Sequence, residues 1–172
     1  MAIERALAAE VLYGSPTQRQ TGYSAYFITA STFQKESLSQ SQRMADLFVK
    51  VLFEYRDQTK YLLHEFVLMP NHFHLLITPT LSLERALQLI KGGFSYRANK
   101  ELGFGGEIWE KSFYDRRVRD MEDYFAYRHY IRQNPVKRGL IAAEAEYPYS
   151  SACPEFVMNK APQRLKPEAL GA

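Results

Sequence analysis

Leu68-Met69-Pro70-Asn71-His72-Phe73-His74-Leu75-Leu76-Ile77-Thr78 is the stretch on which the reading of this chain turns. Pro70-Asn71 is a turn signal between two apolar runs, so Tyr61 to Met69 and His72 to Thr78 read as the arms of an antiparallel hairpin. Successive side chains on a strand point to opposite faces. His72 and His74 therefore project side by side, while Phe73 points the other way into a core. Two imidazoles on one rigid strand form half of a metal site, or an acid/base pair.

Outward from the hairpin, Tyr23 to Phe33 is rich in aromatic and β-branched residues and reads as a first strand. Ser37-Leu38-Ser39-Gln40 precedes a helix to about Arg56, in which Met44, Leu47, Phe48, Val51, Leu52 and Tyr55 make one apolar stripe. Pro79 ends the third strand. Leu83 to about Leu102 is a second amphipathic helix, with Leu83, Leu87, Ile90 and Phe94 on one side and Gly92-Gly93 as a kink or a point of close approach. A short fourth strand is expected within Glu107 to Val118, after the loop Gly103 to Gly106. A third helix is expected from Met121 to about Gln133, ended at Asn134-Pro135 because the residue before proline disfavours the α region. Strand, helix, hairpin, helix, strand is the order of a ferredoxin-like (RRM-like) α+β domain, an antiparallel sheet with helices packed on one face. Residues 1–22 read as a flexible lead-in, 23–151 as the domain and 152–172 as a proline-marked tail.

A chain of 172 residues suits one such domain. Its net charge of +3 does not by itself announce a nucleic-acid binder. The distribution says more, because Arg116, Arg117, Arg119, Arg128, Arg132, Lys137 and Arg138 crowd one stretch, only partly offset by acidic residues. One cysteine, Cys153, excludes an intrachain disulfide framework and fits a reducing compartment. No secretory signal and no membrane-length apolar run is seen, so a cytoplasmic protein is expected.

Tyr130 and Asn134 lie four apart on the third helix and so share a face. Should that helix cross the sheet near His72 and His74, the four side chains form one site. Two imidazoles and an amide oxygen would hold a divalent ion with positions left for phosphate oxygens. A tyrosine beside that ion could attack a phosphodiester and conserve the energy of the broken bond as a phosphotyrosine. Each residue also has a plainer reading: a strand histidine can be structural, Tyr130 is one of 12 tyrosines, and Asn134 before Pro135 could be a helix cap. Trp109 and Phe113 can stack on bases or fill the core.

Met69-Pro70-Asn71-His72-Phe73-His74-Leu75-Leu76 resembles the HUH signature of single-tyrosine transposases. Trp109-Glu110-Lys111-Ser112-Phe113-Tyr114-Asp115 is similar to the W-x3-[FY]-x-D segment of their REP-associated branch, the REP-associated tyrosine transposases. Tyr130-Ile131-Arg132-Gln133-Asn134-Pro135-Val136-Lys137-Arg138-Gly139-Leu140 resembles that branch's Y-I-x-x-N-P-V-x-x-G-L segment. The resemblance runs from about Gly22 to Ser151, with the three segments in the family's order. It implies an HUH endonuclease architecture, with His72 and His74 as metal ligands, Tyr130 as nucleophile and Asn134 as third ligand. Insertion-sequence relatives use a glutamine at the Asn134 position, which leaves Gln133 as the alternative; helical phase favours Asn134.

The resemblance further implies Mg²⁺ or Mn²⁺, a single-stranded DNA substrate folded as a hairpin, and cleavage to a 5′-phosphotyrosine and a free 3′-OH. The basic residues named above become candidate DNA contacts, nucleoid association is expected, and a monomer is favoured over a helix-exchanged dimer. Two rivals stand beside this reading: a hydrolytic phosphodiesterase in which the histidines are acid and base, and a DNA- or RNA-binding module with a vestigial site.

Overall fold

The computed structural model describes residues 24–38, 41–162 and 165. The expected lead-in, the first residue of the expected first strand and Ser39-Gln40 lie outside them. The elements are β1 (Tyr26–Ser31), α1 (Gln42–Asp57), β2 (Tyr61–Met69), β3 (His72–Pro79), α2 (Leu83–Leu102), β4 (Tyr114–Arg117) and α3 (Met121–Lys137). The strands form one sheet in the order β2-β3-β1-β4, every neighbouring pair antiparallel. This is the ferredoxin-like α+β arrangement that the order of elements implies.

Alternation along the strands divides the sheet into two faces. Tyr26, Ile28, Ala30, Phe66, Leu68, Phe73, Leu75 and Ile77 meet the stripes of α1 and α2 in the larger core. Trp109 joins them, its ring centroid 5.1 Å from Phe73 and 5.6 Å from Phe94, so it packs the core rather than stacking on a ligand. Gly92-Gly93 does not break α2. Gly93 instead faces Tyr55, whose hydroxyl would lie 2.5 Å from an added Cβ. The glycine there admits a close approach of α1.

The other face carries Phe27, Val67, Met69, Leu76 and the histidines, and α3 packs across it through Tyr124, Tyr127 and Ile131. Two helices thus share one face and the third takes the other. A β-bulge interrupts β2 between Leu63 and Glu65. It resets the alternation, so Tyr61 and Leu63 face the larger core before it, and Glu65, Val67 and Met69 lie on the α3 face after it.

The end of α3 differs from the sequence expectation. The helix continues through Asn134 and Pro135 to Lys137. Proline removes one backbone donor and disfavours the residue before it, but Asn134 and Pro135 are both buried against the sheet. The turn beyond is closed by Arg138 N–H donating to Asn134 C=O at 3.0 Å and Leu140 N–H to Pro135 C=O at 2.9 Å. Gly139, at φ 71°, takes the left-handed position that ends the helix. Asn134 is therefore an interior helical residue and not a cap.

The segment after α3 wraps. Ser150 bridges to Val67, Tyr149 C=O accepts from Leu68 N–H at 2.8 Å, and Asn159 bonds Leu63 through both its backbone N–H and its side-chain oxygen. The free edge of β2 is covered by the chain's own tail. No helix among the described residues is long and apolar enough to cross a membrane.

Candidate active site

Register places the histidines. Thr29 faces His74 and Ser31 faces His72 across the β1–β3 pair, all on the face that α3 covers. Each imidazole is fixed through Nδ1. Asn71 Oδ1 lies 2.8 Å from His72 Nδ1, and Thr29 Oγ1 lies 2.8 Å from His74 Nδ1. Such contacts hold the ring and leave Nε2 available to a ligand. The rings stand edge to face, 4.8 Å apart.

Burial keeps both rings neutral. His72 is pushed down to about 4 by desolvation, helped by the positive charges of Arg138 and Lys35. His74 is 3% exposed and lies well below the ordinary histidine value for the same first reason, with His72 and Arg138 adding to it. Neutral imidazoles are metal ligands, and they are poor proton donors near neutral pH.

Helix α3 brings Tyr130 and Asn134 to the same place. It starts at Asp120, whose carboxylate caps Asp123 N–H at 2.8 Å, and Tyr127 stacks on Phe27 at 4.5 Å. One turn on, the Tyr130 ring stands 5.2 Å from His74 and 5.8 Å from Phe27. Asn134 comes a further turn along, 3% exposed, its amide nitrogen 3.3 Å from His74 Nε2. Its Oδ1 has no hydrogen-bond partner among the described residues. A buried amide oxygen with nothing to accept from is costly. Rotation of the amide, whose ends are assigned from their contacts, turns that oxygen toward His74 Nε2.

Two neutral imidazoles and a buried amide oxygen are a donor set for a hard or borderline divalent cation. Among the described residues no group of three or more His, Cys, Asp and Glu converges, so the set is complete only when the amide is included. Gln133, the alternative, points elsewhere and donates to the Glu144 carboxylate.

The basic residues divide. Arg132 makes a bidentate pair with Glu65, at 3.0 and 3.1 Å, and Arg128 reaches the same carboxylate at 3.0 Å. Ser151 also donates to Glu65, which is 3% exposed. Arg119 pairs with Asp123 at 2.6 Å. Arg116 lies over the Tyr114 ring at 5.2 Å, and Lys137 stands 6.0 Å from the centre of the Tyr130 ring. Arg117 is half-buried on β4, and Arg138 is exposed just beyond α3. Thr29, Glu65 and Lys35 are absent from the sequence reading as site residues, because their contacts join elements apart in sequence or depend on an unusual turn, and Asn71 enters it only as a turn residue.

Residues 22–134 match the model of the family described as "Transposase IS200 like". The chain belongs to the IS200-like transposase family. A Haemophilus influenzae protein described as a REP-associated tyrosine transposase is 28% identical to this family member over 96 residues, taking in 49% of this chain and 54% of the relative. The chain thus spans about half the length of that relative. A second H. influenzae protein, of unassigned function, is 29% identical over 148 residues, covering 64% of this chain and 79% of its own. The solved structure of a REP-associated tyrosine transposase bound to a REP hairpin shares the fold, with a TM-score of 0.66 at 20% identity over 80% of this chain and 82% of that one.

Proposed function

We propose that this transposase-family chain is a metal-dependent single-stranded DNA endonuclease and strand transferase with Tyr130 as its nucleophile. The observation that carries the reading is the meeting of Tyr130, His74 and Asn134 on one face, with the Asn134 amide oxygen unpartnered among the described residues. His72, His74 and Asn134 would hold Mg²⁺ or Mn²⁺. Bound there, the ion would supply neutralisation of the phosphodiester's non-bridging oxygens and orient it for in-line attack.

The chain's own residues do the rest. Asn71 and Thr29 keep the imidazoles oriented, and Phe27 with Tyr127 seats the nucleophile's helix. The phenol oxygen of Tyr130 forms the new bond to phosphorus, giving a 5′-phosphotyrosine and a free 3′-hydroxyl, and the reverse step joins strands. Lys137 brings positive charge to the nucleophile. Arg116, Arg117, Lys137 and Arg138 are the proposed DNA contacts, while Arg119, Arg128 and Arg132 make ion pairs with carboxylates of this chain.

A folded DNA hairpin is the substrate suggested by the relative solved with a REP hairpin. Tyr130 meets His74 of its own chain, so the site needs no second copy, which supports a monomer. The hydrolase reading loses ground because neutral buried histidines lack the proton a general acid must give. Labelled single-stranded hairpins from the flanks of the protein's own gene test the proposal. Cleavage with Mn²⁺, none with EDTA, and a Tyr130→Phe variant that binds without cutting is the expected result. A Tyr130→Phe variant that cuts at the wild-type rate overturns it.

A further inference from the structure

Between β1 and α1 the backbone does something unusual. Gln34 and Lys35, neither of them glycine, have φ of 51° and 58° in succession. Side chains rarely adopt this conformation even singly. Hydrogen bonds from three sides hold the turn: Phe33 N–H to Ile108 C=O at 2.8 Å, Gln34 N–H to Glu110 Oε1 at 3.0 Å, Thr32 N–H to Asn71 C=O at 2.9 Å, and the Thr32 hydroxyl, 2.7 Å from Glu36 C=O and 3.0 Å from Asn71 C=O. A rare conformation fixed from several directions calls for a functional explanation.

The turn folds Lys35 back so that its Nζ donates to Ser31 Oγ at 2.7 Å. Ser31 is the cross-strand partner of His72 and shares its face. Lys35 is exposed, and it has no carboxylate partner among the described residues. Along this face the groups run in order. Tyr130 lies against Phe27 and His74 at one end, and Lys35 lies beside Ser31 and His72 at the other. In-line displacement sends the departing oxygen away from the attacking one. A phosphodiester held at the histidines and attacked by Tyr130 therefore points its 3′-oxygen toward Lys35.

We propose that Lys35 is the general acid for the departing 3′-oxygen and the base for the same oxygen when strands are rejoined. The inference rests on the transposase reading above. As the Tyr130 oxygen bonds to phosphorus, having lost its proton to water, the bond from phosphorus to the 3′-oxygen breaks and its electron pair stays on that oxygen. One ammonium proton moves across to make the 3′-hydroxyl, and the neutral amine regains a proton from water. In rejoining, Lys35 first releases a proton to water. Its amine then accepts the hydroxyl proton as the 3′-oxygen bonds to phosphorus, while the bond from phosphorus to the Tyr130 oxygen breaks and the departing phenolate takes a proton from water.

The test is single-turnover adduct formation on a flanking hairpin whose wild-type cleavage position has been mapped. The hairpin is made with either oxygen or sulfur bridging phosphorus to the 3′-carbon at that position. A thiolate leaves without a proton. Lys35→Asn keeps a residue that tolerates the left-handed turn, and Lys35→Arg keeps the charge while giving up its proton poorly. Both variants are expected to form adduct roughly 100-fold more slowly than wild type on the oxygen substrate, and within about 3-fold of wild type on sulfur. Equal slowing on both substrates, or no slowing on oxygen, overturns the assignment. If the wild type forms no Tyr130 adduct on either substrate, the transposase reading fails first and the role of Lys35 falls with it.

Discussion

Asn134 carries a buried amide oxygen that accepts no hydrogen bond among the described residues. An arrangement of that kind costs about 1–3 kcal/mol, a cost that a cation meeting the oxygen would offset. Asn134→Leu, close in volume and free of polar atoms, should leave the metal-free protein at least as stable as wild type in thermal denaturation. The same variant should lose metal-dependent DNA cleavage. A variant that unfolds, or one that cleaves normally, would contradict the role given to this amide. His72, His74, Tyr130 and Asn134 were legible in the sequence because each pair is set by local spacing, two apart on a strand and four apart on a helix. Helical phase also separated Asn134 from Gln133, which turns to Glu144. Asn71 drew notice only as a turn residue, since its contact with His72 depends on a side-chain direction that the turn signal does not specify.

At the scale of elements, what matters is how α3 is seated. Glu65 takes Arg128, Arg132 and Ser151 on one buried carboxylate and so ties α3 and the tail to β2. Removing one member of a buried pair leaves charges unmatched and is strongly destabilising. Glu65→Gln should lower unfolding stability by about 3 kcal/mol, measured by chemical denaturation. A change under about 1 kcal/mol would mean that the apolar contacts of Tyr124 and Ile131 seat the helix unaided. The clamp was not visible in advance, because Glu65 meets partners on α3 and the tail that lie far from it in sequence, and the crossing of α3 over the histidine face stood in the sequence only as a condition. The helix end at Gln133 was misjudged for a related reason: a local rule for the residue before proline gave way to burial of Asn134 and Pro135. The glycine pair in α2 separates cleanly. Gly92 has open space around it, so Gly92→Ala should gain about 0.5–1 kcal/mol from helix propensity. Gly93→Ala should lose about 1 kcal/mol net, because the new methyl meets the Tyr55 ring and overpacking outweighs the propensity gain. Paired denaturation curves in one buffer would show opposite signs.

For the whole molecule, the order of strands and helices was readable from hydrophobic periodicity and turn residues, and it led to the ferredoxin-like topology directly. The path of the tail was not, since prolines mark extended chain without saying where it lies. Burial of His64, His72 and His74 gives the metal-free fold a pH dependence. All three are held below the ordinary histidine value by desolvation first, His72 at about 4. The unfolded chain therefore takes up protons below about pH 6.5 that the folded chain does not. This stabilisation is fully present above pH 6.5 and is lost as pH falls toward 4. Denaturation in EDTA should show stability dropping between pH 7.5 and 5, and a flat or rising profile would mean that these rings charge freely in the fold. In the proposed reaction one tyrosine among 12 becomes joined to DNA. The direct measurement is to trap the product on a flanking hairpin with Mn²⁺, digest it with protease and nuclease, and map the nucleotide-bearing peptide by mass spectrometry. The expected result is a single modified peptide carrying the DNA on Tyr130. A modification on any other residue, or cut DNA with no protein attached, would contradict it.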